Sequence, residues 1–203
     1  GWLKEKLWDK KLDYHVNFRN SCYQFYCDKT IERFNAYKKK KKIDKDVDCV
    51  INGVSCKPME YYLSRIDYYK LIDGKPVAFH GDLQFDNIIV KPDGDFMLLD
   101  WRDCFADQDI AGDAFYDYSK LNGGCILPYN IIKSGDFKFS KNDGEVNFSY
   151  DVSDRLKEFR KLFIKWIINY DGEKVELITS LIYLNMAPLH TYPFDELVFN
   201  LAK

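Results

Sequence analysis

The segment from His80 to Trp101 holds the side chains best suited to chemistry. It contains Asp82, Asn87 and Asp100, whose side-chain oxygens are hard ligands of the kind that Mg²⁺ takes. Two carboxylates and one amide oxygen can hold a magnesium ion and orient a hydroxyl group for attack on a nucleotide phosphate. The residue types therefore indicate a metal-and-phosphate site.

The dipeptide Asp93-Gly94 predicts how these oxygens come together. Asp-Gly is typical of a two-residue type I′ hairpin turn, because both central positions need a positive φ. A hairpin centred there places Asn87 opposite Asp100, and opposed residues have Cα atoms about 4.5–5.5 Å apart. Asp82 lies in the loop that leads into the first strand and can reach the same space.

Hydrophobic periodicity predicts a mainly helical α+β fold around this hairpin. Short strands are expected at 88–90 and 96–99, and a second hairpin where two strand-like stretches flank Asn142-Asp143-Gly144. The other segments follow a helical spacing. They cover most of 1–42, then 59–69, 112–121 with Asn122-Gly123-Gly124 as its end, 151–170, 172–187 and 195–202.

Composition excludes several classes of protein. The chain is 46% hydrophobic and has a net charge of −2, so it can build a core and lacks the basic excess that coating nucleic acid needs. Its longest apolar runs are far shorter than the ~20 residues of a membrane span, so no membrane segment is expected. The six cysteines show no zinc-site spacing and follow no secretory signal. We predict free thiols in a cytoplasmic protein.

The residues of the site resemble the catalytic loop of the protein-kinase-like fold. His80-Gly81-Asp82 followed by Asn87 fits H-R-D-L-x-x-x-N, with the glycine that is usual in the aminoglycoside phosphotransferase and choline kinase family. Asp100-Trp101 stands where protein kinases have D-F-G. The segment 112–118 is similar to the family's G-D-P-x-x-D-L, with Ala for Pro and Tyr for Leu. The three motifs occur in order, at spacings like those of the family.

The resemblance implies a role for each matched residue. Asp82 resembles the catalytic base, and Asn87 and Asp100 resemble the magnesium ligands that bind the nucleotide. His80 resembles the histidine that supports the loop, and Asp113 the buried carboxylate that holds the loop's backbone. The implied cofactors are Mg²⁺ and ATP or another nucleoside triphosphate. The implied substrate is a small alcohol, such as an aminoglycoside, a sugar, choline or a related metabolite.

The resemblance covers residues 55–203, as the carboxy-terminal lobe of such a kinase. Residues 1–54, a helical segment and a connector, are expected to form one compact domain with that lobe. The residues before His80 contain no glycine-rich loop and no V-A-I-K strand with its lysine. We therefore expect the amino-terminal lobe to be missing from this chain. Neither a nucleic acid nor a membrane is expected as a partner.

Some interpretations stay open at this stage. Arg102 could contact phosphate or form a salt bridge with Asp103 or Asp107. Three other aspartates could form a solvated or capping patch or serve a cationic acceptor: Asp107, Asp109 and Asp117. For the whole chain, the main alternative to a phosphotransferase is an inactive kinase-like lobe that acts as a scaffold or binding module. A weaker alternative is a metal-dependent phosphate hydrolase.

Overall fold

A computed structural model of the chain describes residues 1–10, 12 and 17–203. Within that part, helices supply most of the regular structure, and small sheets accompany them. The predicted α+β class with a mainly helical composition is therefore confirmed. The segment predicted as helical over 1–42 includes residues 11 and 13–16, which lie outside the described part.

The helices follow the predicted order with two differences: the helix predicted over 59–69 is interrupted at 64–67, and the helix at 129–134 was not predicted. The α-helices are α1 (Phe18–Tyr23), α2 (Lys29–Lys41), α3 (Met59–Leu63), α4 (Tyr68–Leu71), α5 (Ala114–Ile126), α6 (Tyr129–Ser134), α7 (Asp154–Ile167), α8 (Gly172–Met186) and α9 (Phe194–Leu201). Shorter turns of π or 3₁₀ type are Lys4–Trp8, Gln24–Asp28, Phe85–Asn87 and Ala187–Leu189. Four helices begin at a side chain that accepts a backbone N–H of the first turn, which is a stabilising cap: Asp67, Asp113, Ser153 and Asp171.

Helix α5 continues past the point where the sequence predicted its end. The expected stop at Asn122-Gly123-Gly124 is wrong, because packing against α7 and α8 outweighs the low helix propensity of glycine. The Asn122 amide donates to Thr179 and accepts from Arg160. The carbonyl of Gly123 accepts the Tyr183 hydroxyl at 2.8 Å. These bonds hold the glycine turn in the helix.

The strands form three sheets within the described residues. They are β1 (Cys49–Ile51), β2 (Val54–Cys56), β3 (Pro76–Val77), β4 (Ile88–Val90), β5 (Phe96–Leu98), β6 (Gly112–Asp113), β7 (Phe137–Asn142) and β8 (Glu145–Tyr150). The largest sheet has the order β2-β1-β8-β7, with β1 parallel to β8. The second hairpin is confirmed, because β7 and β8 pair Asn142 with Glu145 around a two-residue turn.

One hydrophobic core joins the two segments into which the sequence was divided. Trp8 meets Tyr118 edge to face, with ring centroids 4.7 Å apart, and Phe25 stacks on Phe105 at 4.2 Å. The boundary placed after residue 54 falls within the β1–β2 hairpin. No helix in the described part combines the length and the apolar character that crossing a membrane requires. All six cysteines carry free thiols, as predicted.

Candidate functional site

The β4–β5 hairpin pairs one residue out of the predicted register. Ile88 lies opposite Leu98, whereas the predicted two-residue turn at 93–94 would pair it with Leu99. The connecting loop has three residues, 92–94, with a left-handed glycine at its end. The prediction of a two-residue turn was wrong, because that turn is closed by hydrogen bonds between Pro92 and Asp95 and Pro92 has no N–H to donate. The ladder therefore closes one position earlier, in a common three-residue loop.

The new register moves Asp100 one position away from Asn87. The N–H of Leu99 donates to the carbonyl of Asn87 at 2.9 Å, so Leu99 lies opposite Asn87. Asp100 follows in a left-handed conformation, with φ 55°, which turns the chain as it leaves β5. Its carboxylate is exposed and makes no hydrogen bond or ion pair with the described residues. It lies near enough to His80 to influence that imidazole electrostatically.

Asp82 and Asn87 are in direct contact. The Asn87 amide nitrogen donates to the Asp82 carbonyl at 2.9 Å and reaches the Asp82 carboxylate at 3.4 Å. The 3₁₀ turn Phe85–Asn87 makes this possible, because it folds the loop back before β4 begins. Asn87 is buried and Asp82 is half-buried. The Asn87 side-chain oxygen accepts no hydrogen bond from the described residues and stays available to a ligand.

Lys120 is a site residue that the sequence analysis missed. Its ammonium lies 2.6 Å from the Asp82 carboxylate, and only 15% of the side chain is exposed. Asp113, Asp117 and Lys120 are spaced four and three residues apart, so they lie on one side of α5, where Asp117 and Lys120 contact the loop. That spacing was visible in the sequence. Lys120 and loop residues also line a cavity of about 100 Å³ beside the loop.

His80 supports the loop through both ring nitrogens. Nδ1 accepts the backbone N–H of Asp82 at 3.2 Å, so the proton is assigned to Nε2, which donates to the Leu99 carbonyl at 2.7 Å. The residue is fully buried, and burial lowers the pKa of its imidazole. A neutral histidine thus ties Asp82 to the end of β5, which is the structural role expected of it.

The carboxylate under the loop is Asp117, and the assignment of that role to Asp113 is wrong. The two oxygens of Asp117 accept the backbone N–H groups of His80 at 2.9 Å and Gly81 at 2.8 Å. Asp117 is fully buried, so the solvated acidic patch considered for it is also wrong.

Asp113 supports the neighbouring chain segment. Its carboxylate accepts the N–H of Lys75 at 2.8 Å, the N–H of Phe115 at 3.2 Å and the hydroxyl of Tyr26 at 2.8 Å. Asp113 and Asp117 are one helical turn apart in the same motif. The motif alone therefore does not say which of the two faces the loop.

Arg102 contacts the loop and does not form the salt bridge considered for it. Its backbone N–H donates to the His80 carbonyl at 2.9 Å, and its Nε donates to the Gly81 carbonyl at 3.2 Å. No ion pair links it to Asp103 or to any other carboxylate that the structure describes. Asp107 instead accepts from Ser21 and Gln108. The guanidinium of Arg102 keeps its terminal N–H groups available.

We expect Gly81→Ala to destabilise the protein more than Gly94→Ala does. Both glycines have positive φ, 80° and 83°, which costs a non-glycine residue about 1–2 kcal/mol. A Cβ on Gly81 would also lie 2.5 Å from the Arg102 Cβ, while Gly94 faces open space. Overpacking should therefore add about 1–3 kcal/mol at Gly81 alone. Urea denaturation of both variants tests this, and equal losses would contradict the described loop.

Two residues near the loop at 80–82 carry oxygens of the kind that Mg²⁺ takes. Asn87 offers an unused amide oxygen, and Asp100 offers an unpaired carboxylate. Mg²⁺ is commonly held by one or two carboxylates together with waters and substrate phosphates. A cage of three or more His, Cys, Asp or Glu side chains is not found among the described residues. Asn87 and Asp100 are therefore the residues that could hold a magnesium ion.

Comparison of the chain with models of protein families, with curated proteins and with solved structures gives no significant match.

Proposed function

We propose that this chain is the kinase-like catalytic lobe of a phosphotransferase. The enzyme transfers a phosphoryl group from Mg²⁺-bound ATP, or another nucleoside triphosphate, to the hydroxyl of a small molecule. The observation that carries the proposal is the contact of Asp82 with Asn87 in a loop tied to α5 and β5. The loop's backbone is held by the Asp117 carboxylate and by the His80 imidazole. A half-buried carboxylate in such a fixed loop is suited to orient a substrate hydroxyl.

In this proposal Asp82 is the general base. Its carboxylate accepts a hydrogen bond from the acceptor hydroxyl and takes the proton as the hydroxyl oxygen bonds to the terminal phosphorus. The bond from that phosphorus to the bridging oxygen breaks, and the nucleoside diphosphate leaves with that oxygen. Asn87 and Asp100 would hold Mg²⁺, which neutralises charge on the nucleotide phosphates. Lys120 pairs with one oxygen of Asp82 and the Asn87 amide reaches the other, so both contacts orient the carboxylate. The half-buried ammonium of Lys120 also places a positive charge next to the proposed base.

Transfer of labelled γ-phosphate to a panel of small alcohols tests the function. We expect transfer only with Mg²⁺ present, and we expect Asp100→Asn to raise the Mg²⁺ concentration needed for half-maximal rate by at least about tenfold, because a ligand is lost. Asp151→Asn is the matched control, since that carboxylate is exposed and makes no contact with the described residues.

The rival functions give other results in the same assay. Equal consumption of ATP with and without an acceptor would identify a phosphate hydrolase. A full-length protein that is folded but binds no Mg²⁺–nucleotide by isothermal titration would identify a scaffold. Either result would contradict the phosphotransferase.

A further inference from the structure

Basic side chains gather on the Asp82 side of the catalytic loop. We define the cationic cluster as Lys29 and Arg33, from α2, with Arg102, which follows the β4–β5 hairpin. Lys120 adjoins the cluster through its ion pair with Asp82. These side chains come from three distant parts of the sequence and meet only in the fold.

Two members of the cluster lie against the same aromatic ring. The Lys29 ammonium is 4.0 Å from the centroid of the Phe25 ring, and the Arg102 guanidinium carbon is 5.6 Å from it. Arg102 is fixed next to Asp82 by its hydrogen bond to the Gly81 carbonyl. Phe25 is itself packed rigidly between aromatic neighbours in the core. Lys29 and Arg102 therefore have defined positions around one ring, and Arg102 links them to the loop that carries the proposed base.

The cationic cluster lacks a counter-ion within the described part of the chain. None of Lys29, Arg33 and Arg102 forms an ion pair with a described carboxylate. Lys29 is half-buried, and burial lowers its pKa to about 8, with further lowering by Arg102, Arg33 and Lys120. A half-buried cation among other cations is electrostatically unfavourable unless an anion joins it.

We propose that the acceptor of this phosphotransferase carries an anionic group, a phosphate or a carboxylate, which the cationic cluster binds while Asp82 receives the acceptor hydroxyl. This inference rests on the proposed function. Ammonium and guanidinium groups bind both kinds of anion through charge-assisted hydrogen bonds, and Arg102 has unused N–H donors for a bidentate contact. The same charges repel a cationic acceptor, so aminoglycosides and choline are disfavoured as substrates.

Binding of inorganic phosphate tests the anion site without turnover. We expect isothermal titration at low ionic strength to show phosphate binding by the wild-type chain, both alone and with saturating Mg²⁺–ATP. Lys29→Gln and Arg33→Gln should each weaken phosphate binding by at least about tenfold, because each removes a positive charge from the site. Lys39→Gln is the matched control, since Lys39 lies on the same helix but is exposed. Circular dichroism shows whether each variant is folded.

Three results would overturn the inference. The first is that the folded wild type does not bind phosphate. The second is that Lys39→Gln weakens phosphate binding as much as Lys29→Gln does. The third is that Mg²⁺–ATP displaces phosphate. The last result would assign the cluster to the nucleotide.

A transfer assay with glycerol 3-phosphate, glycerate and glycerol separates this inference from the function on which it rests. Lys29→Gln should raise KM for the two anionic acceptors and leave KM for glycerol unchanged. If phosphate binds as expected but no acceptor is phosphorylated, the proposed function is contradicted and the anion site stands. Transfer that prefers glycerol to the two anionic acceptors, at a rate that Lys29→Gln does not change, would contradict the inference and leave the proposed function standing.

Discussion

Replacing Asp82 by Asn is expected to lower the rate of phosphoryl transfer by about 10²–10⁴-fold, the usual contribution of a positioned general base. The amide has the size of the carboxylate, but it cannot take the proton of the acceptor hydroxyl. It also ends the 2.6 Å ion pair with Lys120, so the ammonium is no longer held at that place. Transfer of labelled phosphate under saturating Mg²⁺–ATP measures the effect.

The fold should tolerate the Asp82→Asn change. The Asp82 side chain is 34% exposed and the amide has the size of the carboxylate, so the loss in the free energy of unfolding should be small beside the loss of rate. Nucleotide affinity should change little, because Asn87 and Asp100 keep their oxygens. Asp151→Asn serves again as the control for a lost surface carboxylate. Undiminished turnover in the Asp82 variant, with the protein folded, would remove Asp82 from the mechanism.

Local sequence signals predicted the parts of this fold that depend on neighbouring residues. The turn at Asp143-Gly144 has both residues at positive φ and closes β7 onto β8, as the dipeptide predicted. The same dipeptide at 93–94 failed because the proline before it cannot donate to the ladder. One missing N–H therefore shifted the whole hairpin by one residue and moved Asp100 away from its expected partner.

Features that depend on tertiary packing could not be predicted from the sequence. The end of α5 was misplaced because Asn122 and Gly123 are held by side chains from α7 and α8. The strands β1 and β2 were missed because each has three residues, and because β1 gains its place by pairing with the distant β8 while β2 pairs with β1. The ion pair between Asp82 and Lys120 joins residues 38 positions apart, so the motif pattern alone did not reveal it.

Three side chains hold the loop at 80–82 in place through hydrogen bonds. His80 ties the loop to β5, Asp117 ties it to α5, and Arg102 closes it from the far side. Each of the three contacts backbone groups of 80–82, so the position of the Asp82 carboxylate depends on packing across the whole domain. This arrangement predicts that catalysis is sensitive to a residue that touches no substrate.

Replacing Asp117 by Asn is therefore expected to reduce both stability and activity. Asn offers one acceptor oxygen where the carboxylate uses two, so one N–H of His80 or Gly81 loses its partner in the buried interior. Such a loss costs about 1–3 kcal/mol in the free energy of unfolding, which urea denaturation measures. The freed loop should lower kcat for phosphoryl transfer, since Asp82 is no longer fixed.

Asp113→Asn is the matched control for the Asp117 change. Both carboxylates are fully buried one turn apart on the same helix, and both variants should unfold more easily. Asp113 holds Lys75, Phe115 and Tyr26 and does not contact 80–82, so its variant should keep kcat when assayed well below its melting temperature. An equal loss of kcat in both variants would contradict a specific role of Asp117 in positioning the loop.

The stability difference between wild type and Asp117→Asn should also depend on pH. Burial raises the pKa of Asp117 from 3.8 to about 6, although the hydrogen bonds from His80 and Gly81 hold it down. The folded state thus binds this proton more tightly than the unfolded chain, so the wild type gains stability as pH falls from about 6 towards 3.8 and loses it as pH rises. Asn cannot titrate, so the difference should widen in acid by up to about 3 kcal/mol. A difference that stays constant from pH 7 to pH 4.5 would show that Asp117 does not titrate in this window.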